Sequence, residues 1–434
     1  MSGGRVSVVS AGLIVALVGA GASLGRLLLG TSNSVGELVW AEDGLFPLCV
    51  RKAGLAECFA DPFAGYLLGA PRLLAGITAA APLETWGWVS NVVAAVAWGL
   101  LSGITAGWLV ARGFGVYMAS GIGLLPVVIP LAGLEAANSV GSVYMPLLYS
   151  ATAILAVGWD SRSATWVAAL IVMLAALTIP TAIILAVPLA VSLTAGRVQR
   201  HSALLVAGAL AVGSIVQMTV VLTAPSARNL ALTPEAIGAW LTDLPTAVVT
   251  LWPGLAFGQT TIFGFFSLPV VTWTGAALAI GILLAGARWA LNRHAGASLA
   301  GLLLICGLAY SFVPTATGYA SNRYFVLTVL GVAAAGLLLL SRAFTGKSKW
   351  GFAGVIIIFA LAWAPAFPAS EWRATATPEW RSTIDRVSAE CSGDPTAPAR
   401  LEFSPNWPQE GVTELQPPTN QFAPCSALGL SLAR

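Results

Sequence analysis

Two adjacent carboxylates open the first polar stretch of this chain. The segment Trp40-Ala41-Glu42-Asp43-Gly44-Leu45-Phe46-Pro47 directly follows a long apolar run. Gly44 and Pro47 mark a turn, which sets Glu42 and Asp43 at a boundary between apolar and polar sequence. A carboxylate that is partly dehydrated has its pKa raised toward the range a general base needs. Adjacent side chains diverge, so one of the pair is expected to face a cavity. The plainer alternative is an acidic loop solvated like any other. Cations come next. Arg51 and Lys52 suit a phosphate or a lipid headgroup equally. Arg72 ends the segment Asp61-Pro62-Phe63-Ala64-Gly65-Tyr66-Leu67-Leu68-Gly69-Ala70-Pro71-Arg72. In that apolar run an unpaired guanidinium is costly, so Arg72 is the stronger anion-binding candidate.

Two further groups carry chemistry. Glu135 and Asn138 in Leu134-Glu135-Ala136-Ala137-Asn138-Ser139 form a pair able to grip sugar hydroxyls, although Asn138 also suits helix capping. Arg323 and Tyr324 end Thr317-Gly318-Tyr319-Ala320-Ser321-Asn322-Arg323-Tyr324, where an arginine either binds phosphate bidentately or snorkels. Arg26 reads as a snorkelling anchor. Of the sixteen tryptophans only Trp40, beside the acids, is kept for a ligand role; most of the others fall at the ends of apolar runs, where membrane proteins place them anyway. The only histidines, His201 and His294, lie beside arginines in short connectors, so a His-dependent triad or His-ligated zinc is not expected near the acids. No cofactor is required; a divalent metal is possible but not indicated. Thr345-Gly346-Lys347-Ser348 resembles the end of a P-loop, but Ser341 stands where its first glycine would be, so it reads as a basic turn.

The elements that must position these residues are apolar helices. Of 434 residues, 57% are hydrophobic and 9% charged, with a net charge of +3. A water-facing surface needs about 25% charged residues, so soluble folds and nucleic-acid binders are excluded. Eleven apolar stretches stand out, near 7–29, 86–110, 114–133, 141–159, 164–179, 181–196, 203–223, 265–287, 296–313, 324–341 and 351–367. Backbone amides in hydrocarbon must bond internally, which makes these stretches helices. The first is longer than the apolar region of a typical signal peptide and reads as a span. Ten basic residues, Arg5 to Lys349, share one set of connectors with the single acid Asp160; the positive-inside rule makes that side cytoplasmic. The expected fold is therefore all-α and polytopic with about eleven spans, the N-terminus cytoplasmic and the C-terminus extracytoplasmic. Residues 1–367 form the membrane domain, with outer loops 30–85 and 224–264, and 368–434 form a Pro-rich outer tail. Interfacial helices are expected in the first outer loop. Gly21 with Gly25, and Gly99, Gly103 and Gly107, read as helix-packing seams. If the outer face is oxidising, Cys49–Cys58 and Cys391–Cys425 disulfides are expected, with Cys306 left in a span.

A first span, an outer loop opening with Glu42-Asp43, interfacial segments, further spans and an outer tail together resemble the GT-C class of integral-membrane glycosyltransferases. Trp40-Ala41-Glu42-Asp43-Gly44, Gly65-Tyr66-Leu67 with Pro71-Arg72, Glu135 with Asn138, and Arg323-Tyr324 are similar to a bacterial subgroup assigned to that class. The resemblance implies a sugar donor linked to a polyprenyl phosphate and a catalytic acid at Asp43, with Glu42 as the fallback. It also implies a donor phosphate held by Arg72 and Arg323, with Arg51 nearby, and an inverting displacement. Glu135, Asn138, Tyr66, Tyr324 and Trp40 would contact sugar or acceptor. The acceptor would be an envelope glycan or lipid at the outer face of a bacterial cytoplasmic membrane, with no nucleic acid involved. The tail is shorter than the folded C-terminal domain many members carry, so acceptor recognition does not transfer.

Rival readings are a flippase or small-solute transporter, a membrane acyl- or phosphotransferase, and a non-catalytic assembly subunit. A transporter predicts ionisable groups deep in spans, whereas here they gather toward one face. Labelled sugar passing from a lipid-linked donor separates the second rival from a glycosyltransferase. For the third, neutralising Asp43, Arg72 and Arg323 leaves the phenotype unchanged.

Overall fold

The computed structural model describes residues 7–30, 35–63, 65–129, 138–224, 233–249, 268–292, 294–316, 325–343, 379–394, 396–401, 403 and 422–428. Glu135, Arg323, Tyr324, the Thr345–Ser348 turn and the expected eleventh span at 351–367 lie outside these residues.

Helix α1 (Val8–Gly30) leads into a short 3-10 turn, Val35–Glu37, and then α2 (Ala41–Ala53), α3 (Leu55–Ala60) and α4 (Gly69–Ala80). The chain continues through α5 (Trp86–Ala111), α6 (Val116–Val128), α7 (Tyr144–Val157) and α8 (Arg162–Thr178). A 3-10 segment, Pro180–Leu185, turns into α9 (Ala186–Thr194), followed by α10 (Arg200–Thr223), α11 (Pro234–Val249), α12 (Leu268–Ala290), α13 (Ala295–Ala316) and α14 (Val326–Ala343). The tail adds α15 (Trp380–Gly393), an antiparallel pair of β1 (Pro398–Arg400) with β2 (Phe422–Pro424), and α16 (Cys425–Leu428).

Among the described residues, five helical stretches are long and apolar enough to cross a membrane: Val8–Leu29, Leu83–Ala111, Arg200–Thr223, Val271–Ala290 and Ala295–Phe312. Five shorter apolar stretches coincide with five of the remaining six expected spans. Two of these are short for local reasons. Pro126 lies near the end of α6, which stops two residues later. Pro180 holds Ile179 extended (φ −149°, ψ 134°), because the proline ring disfavours helical backbone in the residue before it, and so divides α8 from α9.

Burial sorts the helices into centre and rim. The apolar windows of α5 and α13 are 61% and 78% buried, while those of α1, α10 and α12 are only 22–28% buried. The rim helices turn Leu17, Ile215 and Leu284 outward, the pattern of a lipid-facing belt. Helix α1 lies against α5 at backbone distance, because a Cβ on Gly99 or Gly103 would overlap backbone atoms of α1. The partner glycines on α1 are Gly12 and Gly19, whereas Gly21 and Gly25 face open space. The expected Gly21/Gly25 seam is thus corrected. A spacing of four identifies a helix stripe but not which stripe meets a neighbour.

A second apolar core caps one end of the bundle. Leu45, Phe46 and Leu48 of α2 pack with Leu68, Leu83 and Trp86, and with Trp380, Val387, Leu401 and Phe403 of the tail. Trp380 stacks on Trp86 (6.1 Å, 7°) and on Phe403 (5.8 Å, 21°). Trp86 is therefore a core residue and not part of an interfacial belt. Disulfides join Cys49 to Cys58 and Cys391 to Cys425; Cys306 is free and buried. The 26-residue α5 starts under this cap and ends at Ala111, about 39 Å away at the α-helical rise. At that far end Arg112 pairs with Asp160 at 2.9 Å, and Arg197 donates to Ala156 O, Ser298 Oγ and Asn292 O.

Candidate functional site

The first turn of α2 carries Glu42 and Asp43, where the helix dipole favours carboxylates. Pro47 lies four residues after Asp43 and has no N–H to offer its carbonyl, so the ladder is interrupted at the acid. Asp43 is 1% exposed. Its Oδ1 accepts bonds from Ser139 Oγ (3.0 Å) and from the Gly141 N–H (3.0 Å). Glu42 is half-buried beside Gly141, where a Cβ would crowd the glutamate side chain.

The loop that grips Asp43 is itself pinned. Asn138 has a φ of 52° and is fully buried. Its amide donates to Asn91 O (2.9 Å) and Asn91 Oδ1 (3.1 Å), and its own oxygen accepts from Ser23 Oγ (3.0 Å). Asn91 in turn donates to the carbonyls of Val35, Leu38 and Gly87. Trp98 Nε1 donates to Ser139 O at 3.3 Å. Two helices, α1 and α5, therefore fix one short segment against the acid. Asn138 is thereby corrected from a sugar contact or helix cap to a knot in this network, since its amide is buried and bonded to protein. Arg26 is also corrected. It is 1% exposed and donates to the carbonyls of Val127 (2.5 Å) and Ile129 (3.0 Å) instead of snorkelling. Carbonyls at the end of α6 lack intrahelical partners, and a cation there satisfies them.

Arg72 lies in the first turn of α4, and the backbone upstream explains how it gets there. Gln217, a single buried amide in the apolar α10, accepts from Leu67 N (3.1 Å) and donates to Leu67 O (3.0 Å). Thr178 Oγ1 accepts from Ala70 N at 3.0 Å. The Leu67–Ala70 segment is thus drawn into the bundle. The Arg72 side chain is 2% exposed; its Nη2 lies 3.8 Å from Asp61 Oδ2, and its Cζ lies 5.3 Å from the Phe46 ring centroid. Its Nε and Nη1 have no hydrogen-bond partner among the described residues. Burial lowers its pKa to about 10, with Asp61 opposing, so it stays charged at neutral pH.

A cavity of about 440 Å³ opens here, lined by Phe46, Lys52, Glu57, Asp61, Phe63 and Arg72 among others. Asp43 is not in its lining. Phe46, one helical turn on from Asp43, does line it. Arg51 lies elsewhere and is corrected as a phosphate ligand: its Nε donates to Ala79 O (2.9 Å), and its two terminal nitrogens donate to Ala81 O and Leu428 O. Those bonds, and its place 5.0 Å over the Trp86 ring, make it a clamp between α2, the end of α4 and the tail. Burial lowers its pKa and Glu84 opposes this. Trp40 is buried before the start of α2, and Tyr66 is half-buried in a bridge with Phe63 beside the cap core. Among the described residues no three His, Cys, Asp or Glu side chains converge as a metal site would require.

Sequence reasoning gave no role to Ser23, Asn91, Ser139, Gly141, Asp61 or Gln217. Only Gln217 had a usable signal, as an amide alone in a long apolar helix, where polar groups are expensive unless paired.

No family model matches this chain, and no curated protein sequence matches it. Among solved structures it is similar to the archaeal oligosaccharyltransferase AglB from Archaeoglobus fulgidus, in complex with an inhibitory peptide and a dolichol-phosphate. The TM-score is 0.43 with 14% identity, over 86% of this chain and 59% of that one. The match thus covers less than two thirds of that structure's length.

Proposed function

We propose that this protein is a multi-pass membrane glycosyltransferase that takes a sugar from a polyprenyl-phosphate donor at its capped end, which the charge pattern assigns to the extracytoplasmic face. The observation that carries the reading is Arg72, a buried guanidinium with two nitrogens unbonded to any described residue, lining a cavity in the cap. A buried cation in that state is stabilised by an anion, and a guanidinium fits phosphate oxygens in two parallel bonds. Lys52 adds a second positive charge to the same cavity. Asp43 lies on α2 one helical turn before Phe46, the residue whose ring faces Arg72.

In the reaction, an acceptor hydroxyl attacks the anomeric carbon while its proton passes to Asp43. The bond from that carbon to the phosphate oxygen breaks, and the oxygen keeps the electron pair. Arg72 stabilises the charge that develops there. The bonds from Ser139 and Gly141 fix the carboxylate plane, which positions the base. A one-step displacement inverts the anomeric centre. Arg323 stays in the proposal as a second phosphate ligand and Glu135 as a sugar contact. The acceptor is an envelope glycan or lipid.

Proteoliposomes supplied with radiolabelled polyprenyl-phosphate sugars and envelope lipids test this. Label is expected to move to product with wild type and not with Arg72→Gln. Wild-type protein that transfers no label across the common envelope sugars, or an Arg72→Gln variant with full activity, would overturn it.

A further inference from the structure

We infer that the Arg72 cavity selects a phosphate bearing one negative charge, a phosphodiester, over a phosphate bearing two, and that Asp61 is the residue that sets this preference. The inference rests on the reading of the cavity as the donor-phosphate site and deepens it. Among the described residues two cations, Lys52 and Arg72, and two carboxylates, Glu57 and Asp61, line the cavity, so their formal charges cancel. Only Arg72 is buried; Lys52, Glu57 and Asp61 are exposed. Asp61 reaches Arg72 only at 3.8 Å, too far for a hydrogen bond, and thus stands beside the guanidinium without satisfying it. An anion that docks on the Nε and Nη1 of Arg72 gains two charge-assisted bonds and has Asp61 as a near neighbour. Its first negative charge is matched by Arg72. A second meets a carboxylate, and like charges at that range disfavour ionisation.

Among the described residues, no other charged group on α2, α3 or α4 alters this balance. Arg72 is the only charged residue of α4, and Glu57 the only one of α3. On α2, Arg51 is bonded to Ala79, Ala81 and Leu428, Asp43 to Ser139 and Gly141, and Glu42 packs on Gly141.

A lipid-linked sugar phosphate is a phosphodiester and carries one charge. When the sugar leaves, the lipid phosphate becomes a monoester whose second ionisation falls near pH 6. Arg72 offsets the charge as it develops on the departing oxygen, and Asp61 opposes its completion on the free monoester, so at neutral pH the product is held less well than the substrate. A diphosphate-linked donor is disfavoured on the same ground.

The test compares methyl dodecyl phosphate, a diester, with dodecyl phosphate, a monoester, binding to the full chain in nanodiscs at about pH 5.5 and about pH 8. The diester affinity is expected to stay constant within about twofold, while the monoester weakens about tenfold at the higher pH. Asp61→Asn, at an exposed position, is expected to reduce that loss to about twofold, with diester binding retained. Monoester binding that is unchanged or tighter at pH 8, or a loss that persists in Asp61→Asn, overturns the inference while leaving the phosphate site standing. If neither probe binds, or Arg72→Gln binds both like wild type, the site itself falls and the inference with it. Equal displacement of the diester by phosphatidylglycerol would assign the cavity to a bulk headgroup and overturn its place in product release.

Discussion

The guanidinium of Arg72 lies over the ring of Phe46, three residues along the same helix from Asp43. One aromatic ring thus ties the cation on α4 to the helix that carries the acid. The proposed chemistry needs the two groups unpaired, because a direct Arg72–Asp43 ion pair would neutralise both the phosphate ligand and the base.

Arg72→Met keeps an unbranched side chain over Phe46 and removes a buried charge with unbonded nitrogens. Burying a charge without adequate partners is destabilising. The variant is expected to lose at least about a hundredfold in sugar transfer while its melting temperature holds or rises. Thermal melts in detergent alongside transfer assays check both parts, and a lower melting temperature would mean the charge supports the fold.

Asp43→Asn preserves an oxygen that accepts from Ser139 and Gly141, so insertion and folding are expected to be normal. Loss of the proton acceptor removes about 10²–10⁴-fold in rate. Near-normal transfer by this variant removes Asp43 from the mechanism, and Glu42→Gln in the same assay then tests its neighbour.

Gln217→Leu strips both partners from the Leu67 backbone, which is buried. Each unsatisfied group costs about 1–3 kcal/mol, so a clear fall in thermal stability is expected. Because Leu67 leads directly into α4, phosphate binding at Arg72 should weaken as well. Unchanged binding would show that α4 holds its place without this anchor.

Gly44 is occupied from outside by Phe403, whose ring lies where a Cβ would be. Gly44→Ala is expected to destabilise the cap by about 1–3 kcal/mol through overpacking. Combining it with Phe403→Ala should cost less than the sum of the two single changes, as a double-mutant cycle in detergent would reveal. Additive losses would separate the two residues.

The helical, apolar character was legible because long apolar stretches admit few other readings, and ten of the eleven fall on described apolar helices; Arg72 stood out by its apolar surroundings. Less of the site could be read. The partners of Asp43 are Ser139 and Gly141, 96 and 98 residues away, in a loop whose serine and glycine look ordinary. Arg51 resembled Arg72 in type and neighbourhood, and only tertiary contacts sent it to backbone carbonyls. Asn138 and Arg26 failed as simple readings for the same reason: a polar side chain near a helix end goes to whichever unpaired backbone group lies closest, and that depends on packing. The tail read as Pro-rich and polar, yet Trp380 and Phe403 are among the most buried side chains of the cap.

The clamp from Arg51 to Leu428 spans 377 positions of chain. Residues around Arg51 must therefore wait for residues around Leu428 before the cap over Trp86 is complete. A nascent chain halted before Trp380 holds every described residue that lines the Arg72 cavity but leaves the indole face of Trp86 bare. Closure of the cap is thus a late step of assembly, completed only when residues 380–428 reach α2 and Trp86.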